Sequence, residues 1–138
     1  MSNKTLAIIK PDAIKNNYTG KIYNHILANG FKVLGSKLIN ISKKQAEEFY
    51  SIHKEKSFYD ELTDFMSSGK SMMLVLQKKN AVEEWRKLIG NTNPNDAERG
   101  TRRKLYASSV GENAVHGSDS DNNAKKEIGF FFSDMELI

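Results

Sequence analysis

Hydrophobic positions along the chain follow two rhythms. Short apolar runs read as buried strands, and apolar residues three and four apart read as helices with one buried face. Thr5 to Lys10 (TLAIIK) is a run of the first kind, stopped by Pro11, and predicts a strand. Thr19 can cap a helix that buries Ile22, Ile26 and Leu27 and ends at Asn29-Gly30. Phe31 to Ile41 predicts a second strand, with Gly35 as a possible bulge. Ser42-Lys43-Lys44-Gln45 has the form of a capping box. It opens a helix with Ala46, Phe49, Tyr50 and His53 on one face. Ser57 can cap a shorter helix carrying Phe58, Leu62, Phe65 and Met66, closed by Gly69. Ser71 to Gln77 predicts a third strand. Asn80 to Glu83 resembles another N-terminal cap, for a helix that buries Ala81, Trp85, Leu88 and Ile89 and stops at Gly90.

From Asn91 to about Asn113 the periodicity is lost. A connection so long in a small domain is usually functional or disordered. Ala114 to His116 predicts a brief strand, and Ser118 or Ser120 then caps a last helix with Ala124, Ile128 and Phe131 on its apolar side. The order of elements predicts an α+β fold of the ferredoxin-like βαββαβ plan. Its four-stranded antiparallel sheet would carry helices on one face, with extra helices besides. Residues 1–138 read as a single domain. The fold by itself implies no activity.

Charge and composition narrow the function. The formal charge of +4 favours an anionic partner. Much of the excess lies in lysine pairs (Lys43-Lys44, Lys78-Lys79, Lys125-Lys126), which are ordinarily solvated. The arginines differ: Arg86, Arg99, Arg102 and Arg103 fall in one short window. Their planar forks match phosphate oxygens as lysine does not. The absence of cysteine excludes disulfides, thiolate catalysis and thiolate-bound metals. The apolar runs are too short to span a membrane, and that near the N-terminus is too short for a secretory leader. A cytoplasmic location is the expectation.

Chemistry concentrates at NAVHGSDS, residues 113–120. His116 would stand at a strand-to-helix junction, where the helix N-terminus favours an anion. Imidazole is largely neutral at pH 7 and already nucleophilic, so it can accept a phosphoryl group without a base to activate it. The bland reading is a polar loop histidine. Glu127, in the following helix, could orient the ring. Lys10 is held extended by Pro11 and would project from the rim of the sheet, solvated or beside a phosphate. Asp12 reads as a turn or cap residue. Phe58 and Leu62 form a core stripe or an apolar clamp for a base. No phosphate-binding G-x-x-x-x-G-K-[ST] loop, no G-x-G-x-x-G and no metal-cage spacing is present.

NAVHGSDS closely resembles the active-site signature N-x-x-H-G-S-D-[SA] of the nucleoside diphosphate kinases. The resemblance continues through KPDA at 10–13, FYSIHKEKSFY at 49–59, MSSG at 66–69, WRKLIG at 85–90, TNP at 92–94 and GTRR at 100–103. It implies that His116 accepts the phosphoryl group. It further implies that Lys10, Arg86, Thr92 and Arg103 hold the nucleotide phosphates, and that Tyr50 supports Lys10. Asn113 would reach the ribose. Phe58 would stack on the base, with Leu62 and Val110 completing the clamp, and Ser118 and Glu127 would steady His116. Substrates would be nucleoside di- and triphosphates, with ATP as donor and Mg²⁺ arriving on the phosphates rather than on protein ligands. The kinetics would be ping-pong. The resemblance also implies a homo-oligomer, a tetramer or hexamer built from dimers.

Two departures stand out. Arg102 replaces a usual aliphatic residue, and Lys104-Leu105 replaces a small residue and an aspartate. The competing reading is a binding module for nucleotides or nucleic acid that has lost turnover. The intact His116, Lys10 and Asn113 argue against it and against nucleic acid as a partner.

Overall fold

The computed structural model of the chain describes residues 3–90 and 115–137. Its sheet has four strands in the order β2-β3-β1-β4, with every pairing antiparallel. They are β1 (Lys4–Ile9), β2 (Lys32–Ile39), β3 (Ser71–Gln77) and β4 (Val115–Gly117). Among the described residues the α-helices are α1 (Pro11–Lys15), α2 (Thr19–Ala28), α3 (Lys43–Phe49), α4 (Tyr59–Met66), α5 (Ala81–Ile89) and α6 (Asp121–Phe131). This is the expected α+β, ferredoxin-like arrangement.

The period-two alternation of the central strands splits their side chains between two cores. Ala7 and Ile9 of β1, with Leu74 and Leu76 of β3, meet Ile22 and Ile26 of α2 and Trp85 and Ile89 of α5. These are the helices of the βαββαβ plan. Leu6, Ile8, Met73 and Val75 meet Ala46, Tyr50, Met66, Ile128 and Phe132 on the opposite face. The extra helices α3, α4 and α6 therefore cover the second face. Both faces of β1 and β3 are buried, which is why these strands read as nearly continuous apolar runs.

Local signals place most boundaries. Ser42 and Gln45 form the reciprocal capping box, with Gln45 N–H 3.1 Å from Ser42 Oγ and Ser42 N–H 2.9 Å from Gln45 Oε1. Ser120, rather than Ser118, caps α6 by accepting the Asn123 N–H at 3.1 Å. The β2–β3 register slips between Val33 and Gly35, placing the bulge where Gly35 predicted it. A Cβ on Gly35 would come within 3.1 Å of Phe132 and Leu137, so the missing side chain makes room for the C-terminal segment.

Other expectations are corrected. Thr19 lies inside α2, and Tyr18 holds its cap position with no side-chain bond. Leu27 is 51% exposed, because it lies about 100° round the helix from Ile26. Phe58, not Ser57, precedes α4, and that helix ends through Ser67 and Ser68, whose hydroxyls bond back to Thr63 and Phe65 carbonyls. Asn80 does precede α5, but with a left-handed backbone and no side-chain cap. Pro11 both stops β1 and opens a short helix, since its fixed φ suits a first helical position. His53 is not on α3 but in the 3₁₀ turn Ser51–His53 that follows it. Phe132, just past the end of α6, rather than Phe131 completes the buried face with Ala124 and Ile128.

Candidate active site

The short strand β4 carries the central residue. His116 stands opposite Ile8 on β1, and Val115 and Gly117 flank it with side chains on the other face. Its ring therefore enters the face covered by α3, α4 and α6. There His116 Nε2 lies 2.8 Å from Oε1 of Glu127 on α6, and Ser118 Oγ donates to the same oxygen at 2.8 Å. A carboxylate only accepts, so this contact puts the ring proton on Nε2 and the in-plane lone pair on Nδ1. Ser118 is itself fully buried, and its Oγ also accepts the Leu6 N–H at 3.4 Å. Glu127 is thus aimed from two sides, and the expected partnership of His116, Ser118 and Glu127 is present as geometry.

Lys10 is only 5% exposed, so it is not a solvated rim lysine. It continues the alternation of Leu6 and Ile8 toward the His116 face. Its ψ of 165° shows the extended backbone that Pro11 imposes. Lysine is almost never so buried without a partner for its charge. Tyr50 is nearly as buried, and its ring meets His116 edge to face at 6.4 Å between centroids. Phe49 meets the same imidazole at 5.7 Å. That contact was not evident in the sequence, where Phe49 shares the apolar face of Ala46 and Tyr50.

Phe58 separates the two readings of its stripe. It is 45% exposed, whereas Leu62 is half-buried and packs against the core. Phe58 therefore offers an open aromatic face, and Leu62 mainly supports the helix beneath it. His53 bridges the region, with its ring 5.7 Å from Phe58 and 6.5 Å from Tyr50.

Arg86 lies exposed on α5 and reaches the Gly117 carbonyl at 3.5 Å. Its neighbour Trp85, which reads in the sequence as a core residue only, donates its indole N–H to the His116 carbonyl at 2.9 Å. The two positions are 31 residues apart, and no local signal joins them. Thr92, Arg103, Val110 and Asn113 lie outside the described residues, as do Arg99, Arg102 and Lys104-Leu105. An open cavity of about 690 Å³ is lined by Arg86, Lys87, Glu83 and Asp119 among others. Among the described site residues it shares Arg86 alone, and His116, Lys10, Tyr50 and Phe58 do not line it.

The arrangement joins an oriented imidazole, a buried ammonium, a guanidinium and an exposed aromatic ring. These are the groups needed to attack a phosphorus atom, balance its oxygens and hold a planar base. Comparison with known proteins points the same way. The family model described as nucleoside diphosphate kinase matches residues 3–137. A nucleoside diphosphate kinase of Persephonella marina is 50% identical over 135 residues, covering 98% of this chain and 96% of its own. That of Chloroherpeton thalassium is 53% identical, with 98% and 96% covered. Among solved structures, the Aquifex aeolicus nucleoside diphosphate kinase superposes with a TM-score of 0.97 at 36% identity, covering 99% of both chains. A Halobacterium salinarum nucleoside diphosphate kinase, solved in complex with CDP, gives 0.95 at 34% identity, with 100% and 92% covered.

Proposed function

The chain belongs to the nucleoside diphosphate kinase family, and we propose that His116 is the residue through which it carries that activity. The enzyme transfers the terminal phosphoryl group of a nucleoside triphosphate such as ATP to a nucleoside diphosphate. His116 Nδ1 attacks the γ-phosphorus in line with the oxygen that bridges it to the β-phosphate. The N–P bond forms, the bridging P–O bond breaks, and ADP leaves with those electrons. The acceptor diphosphate then takes the phosphoryl group by the reverse sequence at the same nitrogen, which makes the kinetics ping-pong.

The observation that carries this reading is the 2.8 Å tie between Nε2 and Glu127. As Nδ1 gives up its lone pair, the ring becomes cationic, and the carboxylate at Nε2 balances that charge without removing the proton. Ser118 keeps the carboxylate aimed. Lys10 and Arg86 supply fixed positive charge to the phosphates, as Thr92 and Arg103 would, and Asn113 would hold the ribose. Catalysis is then chiefly positioning and charge stabilisation. Phe58 stacks on the base, aided by Leu62 and Val110, and a stacking platform accepts every base because each has a π face.

Mg²⁺ fits as a companion of the nucleotide. Glu127 and Ser118, the oxygen donors beside His116, are engaged with each other and with the ring. Magnesium's oxygen ligands would come from phosphates and water, where the ion neutralises developing charge.

We also assign the chain to a homo-oligomer built from dimers. The edge strand β2 and the exposed Leu38 and Leu27 on the α2 side of the sheet support this. Native mass measurement decides whether the assembly is a tetramer or a hexamer. The cytoplasm, where its nucleotides are, is the proposed location.

The test is incubation with γ-labelled ATP. Label that survives alkali and is lost in acid is expected on the wild type. His116→Ala should take up none and turn over nothing, yet keep nucleotide binding. His25→Ala, altered on α2, should behave as wild type. Turnover by a contamination-free His116→Ala protein overturns the assignment.

A further inference from the structure

We infer that Trp85 is a positioning residue for the nucleophile, acting through the backbone of His116. This rests on the reading of His116 given above. Among the described residues β4 is three residues long and lies at the edge of the sheet, so its ladder with β1 there is a slight support for a reacting group. The structure adds a second support from the opposite face. Trp85 is fully buried, and its Nε1–H donates to the His116 carbonyl at 2.9 Å. Phe31 meets the indole edge to face at 5.9 Å and limits its tilt. Arg86, the next residue, reaches the next carbonyl, that of Gly117, at 3.5 Å.

Gly117 makes this approach possible. A Cβ there would lie 2.7 Å from Trp85 Cδ1, closer than real Cβ atoms come, and 3.0 Å from Nε1. The glycine after the histidine therefore has a steric purpose: it lets the indole sit flush under β4. His116 is thus held from two faces, its ring by Glu127 on α6 and its carbonyl by Trp85 on α5. The same helix carries Arg86, so the distance between nucleophile and phosphate-binding cation is set by one rigid element. In-line transfer is sensitive to misplacement on the ångström scale.

Trp85→Phe keeps an aromatic ring in the core and removes the N–H. A fall in kcat of about tenfold is expected, the effect of one lost hydrogen bond on a barrier. The KM values for donor and acceptor should stay within about twofold, because no group touching nucleotide has changed. Single-turnover phosphorylation and dephosphorylation of His116 should slow by the same factor, since both half-reactions use the same nitrogen. A structural role alone would lower the melting temperature and leave kcat unchanged at assay temperature. That result overturns the inference.

Should Trp85→Phe fail to fold, benzothienylalanine at position 85 keeps the bicyclic shape with sulfur in place of N–H. The same loss of kcat is expected of it, and wild-type kcat again overturns the inference. Failure of the underlying reading would appear separately, as absence of phosphohistidine on the wild-type protein.

Discussion

His116 on β4 and Glu127 on α6 meet through Nε2 and Oε1 at 2.8 Å, eleven residues apart in the chain. The contact sets the ring's tautomer and places a negative charge where the phosphorylated imidazole becomes positive. Glu127→Gln keeps an acceptor of the same shape and removes the charge. A kcat reduced about ten- to a hundredfold is expected, the range for a hydrogen bond to a charged partner. KM should barely move. Steady-state kinetics with two different acceptors checks this, and an unchanged kcat would show that Glu127 only orients the ring.

Phe58 is the exposed ring of the site and has His53 behind it. Phe58→Ala removes about 1–3 kcal/mol of stacking per base, a rise of roughly five- to a hundred-and-fiftyfold in KM. The rise should be similar for purine and pyrimidine diphosphates, with kcat largely preserved. His53→Ala should remain active. Catalytic efficiencies over the common nucleoside diphosphates provide the comparison. A preference of several thousandfold for one base would contradict recognition by stacking, because it requires hydrogen bonds to a base edge.

Arg103 follows Gly100-Thr101 in the matching motif, whereas Arg102 is a departure from it. Two side chains adjacent in sequence seldom reach one phosphate together. Arg103→Ala should therefore cost on the order of 1.5–3 kcal/mol in kcat/KM, as expected for a lost charge-assisted contact. Arg102→Ala should cost much less. The reverse order would place the clamp one residue earlier.

Glu136 fastens the C-terminal segment to β2. Lys37 Nζ lies 2.8 Å from its carboxylate and also donates to the Phe131 carbonyl at 2.8 Å. The Lys37 hydrogen bond, then the Ser133 N–H, hold the Glu136 carboxyl below its ordinary 4.5. A lowered folded value stabilises above the unfolded value and loses that contribution as pH falls through the folded one. Glu136→Gln should thus melt slightly lower at neutral pH, the small effect of a solvent-screened ion pair, and the difference from wild type should vanish in acid. Thermal unfolding of both proteins across that range is the measurement. A difference that persisted in acid would assign the loss to something other than the charge.

Much of the architecture was written locally. Ser71–Gln77 emerges as β3 with the expected bounds, because a run of seven residues between two polar breaks can bury both faces of a strand. The Ser42 box and the Ser120 cap join residues three apart, so four positions suffice to predict them. The histidine signature likewise places Ser118 near His116, and the helix it opens brings in Glu127. Caps that depend on the incoming chain direction, at Thr19, Ser57 and Asn80, did not follow the local pattern.

Tertiary structure decided what side chains do once distant segments meet. Lys10 could have been a solvated rim residue until packing of the second core buried it. Phe58 and Leu62 share one stripe, and only the docking of α4 leaves the first open and turns the second inward. The bond from Trp85 to the His116 carbonyl joins residues 31 apart, through a space that exists only because Gly117 has no Cβ. Periodicity and capping act within a few residues and are legible in sequence. Burial and close approach depend on which surfaces the sheet brings together, and those are set by the whole fold.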